Sequence, residues 1–145
     1  MRKQLASLTE INLECGMARK PRISGEMLAL MRGSEHHAWT LEAFQAGLAE
    51  SGTSADFSSI FRAAQKLVAD GVARKVLLDD GRARFEPAGA HHDHLHCTNC
   101  DELIAVRCVI DRDAYSAIEN ETGAAVRDHS VVLSGLCPKC AGIPR

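Results

Sequence analysis

At 145 residues, 46% hydrophobic and 25% charged, the chain is long enough for one domain or two small ones. Its formal net charge of −2 argues against an indiscriminate polyanion binder, and no run approaches the roughly 20 apolar residues of a membrane span. Residues Met1–Ser7 lead into no apolar signal core, so the expected compartment is the reducing cytoplasm, where six cysteines favour metal over disulfides.

Residues 4–14 set Leu5, Leu8 and Ile11 at helical spacing and predict a short first helix stopped by Gly16. Arg19-Lys20-Pro21-Arg22 reads as a basic hinge, with Pro21 suited to the first turn of a second helix. That helix carries Ile23, Met27, Leu28, Leu30 and Met31 and ends at Gly33. His36-His37-Ala38-Trp39 falls in a connection before Thr40, the expected N-cap of a third helix running through Leu41, Phe44 and Leu48 to Gly52. A fourth helix is expected over 53–71, capped by Ser54 or Asp56. Phe57, Ile60, Phe61, Ala64, Leu67 and Val68 form its apolar stripe. Ser59, Arg62, Ala63 and Lys66 share another face.

Two alternating runs, Val72–Leu78 and Arg82–Glu86, flank Asp79-Asp80-Gly81, a hairpin signal. Helices followed by a two-stranded ribbon make a winged helix-turn-helix whose fourth helix is placed to enter a DNA major groove. An ordinary solvated face accounts for Ser59, Arg62 and Lys66 equally well. Residues 1–85 carry 12 Lys+Arg against 10 Asp+Glu, and residues 86–145 carry 5 against 9. That asymmetry puts any nucleic-acid surface in the first half.

Pro87-Ala88-Gly89-Ala90 is a small-residue link, dividing the chain into a winged-helix unit (1–86), a hinge (87–90) and a small αβ unit (91–145). In the last, His92–Cys97 is expected as a strand and Glu102–Cys108 as its antiparallel partner. A helix follows from Asp111 to Thr122, stopped by Gly123, and a third strand over Ala125–Leu136. The class is α+β.

Of the ten residues in His91-His92-Asp93-His94-Leu95-His96-Cys97-Thr98-Asn99-Cys100, seven are metal-ligand types. Neighbouring side chains on a strand face opposite ways, so this stretch feeds two or three separate sites rather than one. His92, His94 and His96 go to one face; His91, Asp93 and Cys97 go to or near the other. Cys97-x-x-Cys100 and Cys137-Pro138-Lys139-Cys140 together make a four-thiolate zinc site that compensates for a small apolar core. Cys15 and Cys108 have no partner at metal spacing and are expected to be small buried hydrophobes.

A winged helix, a short link, His-His-Asp-His-Leu-x-Cys-x-x-Cys and a terminal CxxC resemble the ferric uptake regulator family of metal-responsive, dimeric transcriptional repressors. Asp80–Glu86 matches that family's wing, and Ser59-Ile60-Phe61-Arg62 stands where the family has Thr-Val-Tyr-Arg on its recognition helix. The resemblance implies a homodimer on a double-stranded DNA operator, contacted through Arg22, Ser59, Phe61, Arg62 and Lys66. It implies structural Zn(II) on Cys97, Cys100, Cys137 and Cys140. It further implies a regulatory Fe(II), Zn(II) or Mn(II) on His37, Glu86, His92 and His94, with His36 as competitor for His37. A third site would take His91, Asp93 and His129.

This chain departs from the family at two ligand positions, with Ala105 after the second strand and Arg112 in the third site. Asp111 or Asp113 is the expected substitute at the latter, and Asp113 is taken here. Three imidazoles and one carboxylate suit zinc better than six-coordinate iron. Three alternatives remain: a peroxide sensor of the same family, a zinc-binding scaffold without a DNA role, and a zinc hydrolase. The last has no His-Glu-x-x-His in its favour, so an enzyme is not expected.

Overall fold

The computed structural model describes residues 23–142. The expected helix over 4–14, Cys15, and the basic stretch with Arg22 lie outside them. Helices α1 (Ile23–Gly33), α2 (Leu41–Glu50) and α3 (Phe57–Ala69) follow in order. Each start has a chemical cause. Thr40 accepts the Ala43 N–H at 3.0 Å to open α2, and Asp56, rather than Ser54, accepts the Ser59 N–H at 2.9 Å to open α3.

The three helices close around Met27, Met31, Trp39, Phe44, Leu48, Ile60, Ala64, Leu67, Ala73 and Phe85. Trp39 stacks on Phe44 at 5.2 Å between ring centroids. Gly47 makes that packing possible, since a Cβ there would lie 3.1 Å from Leu30 Cδ1 and 3.3 Å from Trp39 Cζ3. The stripe on α3 is narrower than its sequence implies. Ile60, Ala64 and Leu67 are buried, whereas Phe57 and Phe61 are each 46% exposed. At about 100° per residue those two phenylalanines sit on the flank of the buried row.

Strands β1 (Ala73–Leu77) and β2 (Ala83–Pro87) form the wing, with Lys75 opposite Phe85. Gly81, at φ +80°, supplies the turn. A bridge between Trp39 and Phe85, with N–H···O distances of 2.7 and 2.8 Å, ties the α1–α2 connection to β2.

Beyond the wing, β3 (Asp93–Cys97) is the middle strand of a sheet ordered β4-β3-β5. β4 (Leu103–Val106) runs antiparallel to it, while β5 (Val132–Gly135) runs parallel, reached by way of α4 (Arg112–Thr122). The strand expected over Ala125–Leu136 contracts to four residues, because Val126 donates its N–H to Glu119 of α4 instead of to a strand. No side chain of α4 is buried. Helices with a wing, followed by an αβ unit around four cysteines, make up the architecture.

A second apolar cluster joins the two sheets: Val76 and Leu78 from the wing side meet Leu103, flanked by Ala38 and Val132. Beside it lies a polar latch. Asp101, held at φ +64° directly after Cys100, accepts hydrogen bonds from Arg82 (2.8 and 3.0 Å), Arg84 and His96 (2.7 Å). Among the described residues no helix is long and apolar enough to cross a membrane.

Candidate metal centre

The alternation of β3 separates its side chains into distinct groups. Three sets of ligand atoms converge, each set lying within 4.8 Å of its own members: Cys97/Cys100/Cys137/Cys140, His37/Glu86/His92/His94, and His91/Asp93/Cys108/His129.

In the thiol set, the Cys100 and Cys137 sulfurs are 3.7 Å apart. Zinc with ~2.3 Å bonds to sulfur spans tetrahedral S–S edges of ~3.8 Å, so this pair is already at metal spacing. The Cys137 N–H points at Cys97 Sγ (3.2 Å), and together with the Cys100 N–H it brings the Cys97 thiol down to about 6. Cys100 goes the other way. The Glu102 N–H lowers it but is outweighed by the neighbouring thiols and burial, and it is pushed up to about 12. Cys97 is available as a thiolate at neutral pH, while Cys100 and Cys140, both raised, release protons when a cation arrives, which is the donor chemistry of a structural zinc site.

The second set is built from both halves. His37 lies in the α1–α2 connection, Glu86 on β2, His92 just before β3 and His94 on it. Glu86 is 1% exposed, and its Oε2 faces the Nε2 atoms of His37 at 2.7 Å, His94 at 2.9 Å and His92 at 3.2 Å. His37 Nε2 lies 3.0 Å from that of His92 and 3.2 Å from that of His94.

The cluster crowds three ring nitrogens around one carboxylate oxygen. The His92 Nδ1–H donates to the Ala90 carbonyl at 3.0 Å, because a carbonyl only accepts. As a metal donor the ring would present its Nε2 lone pair, which lies 3.2 Å from the Glu86 carboxylate oxygen. Lone pairs facing each other across about 3 Å repel unless a cation lies between them. Tetrahedral zinc with ~2.05 Å bonds needs ligand edges of ~3.3 Å, and adjacent ligands of a six-coordinate ion need ~3.0 Å. The residues fit a divalent metal.

Burial brings the His37 pKa below 6.5, outweighing the opposing pull of Glu86, so this ring is ready as a neutral donor. Burial opposes ionisation of Glu86, but the His94 hydrogen bond and the three rings overcome it and hold Glu86 below the usual carboxylate value. His36, the alternative to His37, is exposed and lies edge-on to Trp39 at 6.1 Å. His96 stays out of the cluster and is spent on Asp101. Ala105 pairs with His94 across β3–β4 and brings no ligand atom.

The third set corrects two expectations. Asp113 is exposed on the first turn of α4 and is not among the converging atoms, because α4 begins one residue after its cap: Asp111 turns its carboxylate to the Ala114 N–H at 2.9 Å. Cys108 takes the place expected of a carboxylate. It is exposed rather than a buried hydrophobe, and its sulfur lies 3.2 Å from His129 Nε2. Cys108 lies two residues past the end of β4, so a fixed-offset comparison passed over it.

Of the residues expected at DNA, Phe61, Arg62 and Lys66 are exposed on α3, with Lys66 paired to Asp70 at 2.7 Å. Ser59 is less free, since its hydroxyl donates to the Asp56 carboxylate at 2.8 Å and accepts from Arg62 at 3.3 Å.

The ferric uptake regulator family model matches residues 19–134. A ferric uptake regulation protein from Legionella pneumophila is 29% identical over 121 residues, covering 83% of this chain and 88% of its own. The fold resembles that of the ferric uptake regulator from Francisella tularensis with iron (TM-score 0.74, 20% identity, 93% of this chain and 99% of that one). It also resembles a zinc uptake regulator complexed with zinc and DNA (TM-score 0.62, 20% identity, 86% and 85%). With the match spanning the helices, the wing and two of the three donor sets in full, the chain belongs to the ferric uptake regulator family of metal-responsive, DNA-binding transcriptional repressors.

Proposed function

We propose that this protein represses transcription in response to zinc, sensed at His37, Glu86, His92 and His94, as a homodimer on double-stranded DNA. The observation that carries this reading is the buried Glu86 oxygen facing three imidazole nitrogens at 2.7–3.2 Å, an arrangement that one divalent ion among them would satisfy. The choice of zinc over Fe(II) or Mn(II) rests on the donor set: three imidazoles, one carboxylate, and alanine at 105.

The Trp39–Phe85 bridge holds His37 and Glu86 together, so residues 23–86 offer two donors as one body. His92 and His94 offer two more from residues 91–145, across the 87–90 link. A bound ion supplies one set of bonds shared by both bodies. Swinging of the link then costs ligand bonds, and the exposed face of α3 with Phe61, Arg62 and Lys66 is held in one pose. Two such faces engage successive major grooves when they sit about one DNA turn, ~34 Å, apart. The exposed apolar residues Val109, Ile118, Leu133 and Leu136 on the αβ unit are the surface for a second copy. The compartment is the cytoplasm, and the Cys97/Cys100/Cys137/Cys140 zinc is structural.

The test is operator binding by chelator-treated protein with Zn(II), Fe(II) and Mn(II) buffered in turn. Zinc is expected to restore binding at the lowest free concentration. Restoration by Fe(II) alone favours a second reading, for which an open cleft of about 620 Å³ beside His37 and Ala105 leaves room for water on a six-coordinate ion. Oxygen insertion at a ligand histidine, read by mass spectrometry, would then mark peroxide sensing. A His37→Ala variant should stay folded and dimeric, since His37 is 28% exposed in a connection, yet bind the ion ~100-fold more weakly or worse, about 2.7 kcal/mol. If metal stimulates DNA binding by that variant as in the parent, the assignment fails.

A further inference from the structure

We propose that Cys108 is a metal ligand: it supplies a thiolate to the third site that the family resemblance places on His91, Asp93 and His129, in place of the family's carboxylate, and makes it a mixed site for zinc-class divalent ions. This goes beyond the sensing site, with which it shares no residue.

Asp93 provides the first argument. It is fully buried, and its two carboxylate oxygens are in different situations. Oδ2 accepts the Val109 N–H at 2.8 Å, while Oδ1 is buried with no hydrogen-bond partner. That oxygen faces His129 Nε2 at 3.3 Å and His91 Nε2 at 3.6 Å, and the two ring nitrogens are 2.8 Å apart. A buried carboxylate oxygen without a hydrogen-bond partner is costly unless a cation reaches it.

The second argument is how Cys108 arrives. The Val109 N–H bond to Asp93 draws the 107–111 connection onto β3, so the residue immediately before it is brought alongside the rings. Cys108 Sγ then lies 3.2 Å from His129 Nε2, with its thiol donating to the Ile110 carbonyl at 3.0 Å. A tetrahedral ion with one ~2.3 Å bond to sulfur and ~2.05 Å bonds to nitrogen needs an S–N edge of ~3.6 Å and an N–N edge of ~3.3 Å. Outward movements of about half an ångström meet both.

The third argument is the outer support. Tyr115 hydroxyl is hydrogen-bonded to His129 Nδ1. With Nδ1–H donating to the tyrosine oxygen, Nε2 carries the lone pair and faces the other three donors. Thiolate in the set favours Zn(II) and Co(II) over Fe(II) and Mn(II), which prefer oxygen-rich shells.

The experiment uses the full-length protein with its four-cysteine zinc in place and the weaker sites emptied by a mild chelator. Co(II) is then titrated and its absorption recorded. A sulfur-to-cobalt charge-transfer band in the near ultraviolet is expected from this site alone, because the four-cysteine site keeps its zinc and the sensing site contains no thiolate. In Cys108→Ser the charge-transfer band disappears and zinc affinity at this site falls at least 10-fold. In His92→Ala the band persists. Tyr115→Phe keeps the band and weakens affinity 10- to 100-fold. A parent protein without the band, or a Cys108→Ser variant that retains it, overturns the proposal. A band lost in His92→Ala would instead assign the sulfur to the sensing site and overturn it equally.

Discussion

Asp101 is one side chain on which the wing and the four-cysteine knuckle both depend. Changing it to Asn removes the charge while keeping a residue type that tolerates the +64° φ at this position, so backbone strain stays constant. Asp101 is 41% exposed, Arg82 53% and Arg84 5%. The Arg82 contact is a surface pair worth ~0–1 kcal/mol. Arg84 is different: breaking a fully buried pair costs ~3–5 kcal/mol, but water reaches the carboxylate side here, and the Asn oxygen still accepts one bond, so roughly half survives. The total is about 2 kcal/mol, or roughly 5–10 °C in the melting midpoint.

The pH dependence of that loss has a definite sign. Burial raises the Asp101 pKa, but the His96 and Arg82 bonds and the Arg84 charge outweigh it and hold the carboxyl below 3.8. Its contribution is therefore complete above about pH 4 and disappears as pH falls through the depressed value; Asp101→Asn should lack that component. Urea unfolding of zinc-loaded parent and variant at pH 7 measures the loss, at a pH where the four thiols still hold zinc. A variant within ~0.5 kcal/mol of the parent at pH 7 would refute the latch. DNA affinity at saturating metal should fall in parallel, because the wing loses its tie to the αβ unit.

Three other outcomes follow from the same geometry. Removing the knuckle metal with a strong chelator, or replacing the fully buried Cys137 by Ser, should unfold the αβ unit while the helical core survives; a calorimetric trace that remains a single transition contradicts this. The His37 share of metal affinity should be present above pH 6.5 and lost as pH falls through its lowered pKa, with Glu86 anionic to below 4.5; isothermal titration of parent against His37→Ala in which the difference vanishes already at pH 7.5 would count against a neutral His37 donor. Phe44→Ala, which empties a fully buried ring site beside Trp39, should cost ~3–5 kcal/mol in urea unfolding.

The helices were legible because their signals are local. Thr40 and Asp56 precede apolar rows at 3.6-residue spacing, and Gly123 sits at the left-handed C-cap of α4. The cysteine pairs were legible for the same reason, since two CxxC motifs have one obvious use. What the sequence did not reveal is long-range or irregular. Phe57 and Phe61 carry apolar periodicity that the packing leaves open. The parallel pairing of β3 with β5 is set by the path through α4, and the Asp101 latch joins residues 17 and 19 positions apart through a turn conformation no composition rule predicts. Cys108 was misread because burial statistics for a lone cysteine ignore a neighbour's N–H pulling its loop onto a carboxylate.

The strand alternation that was legible has a consequence for how the sites are linked. His92 and His94 face the wing side of β3, while Asp93 faces the other side with His91 beside it, so adjacent residues serve different donor sets. Tension on one set is then transmitted to the other through single peptide units rather than across a domain. The two sets are chemically unlike: the one across the 87–90 link contains no sulfur, and the one inside the αβ unit contains Cys108. An ion in the inner set would stiffen β3 without touching residues 23–86, and so would order His92 and His94 before they are needed. Filling the inner set first should therefore tighten the outer one, and by thermodynamic reciprocity the outer set should tighten the inner by the same factor. Cobalt titrations of the parent, Cys108→Ser and His37→Ala give that factor from either side, and a factor of one would exclude coupling through β3.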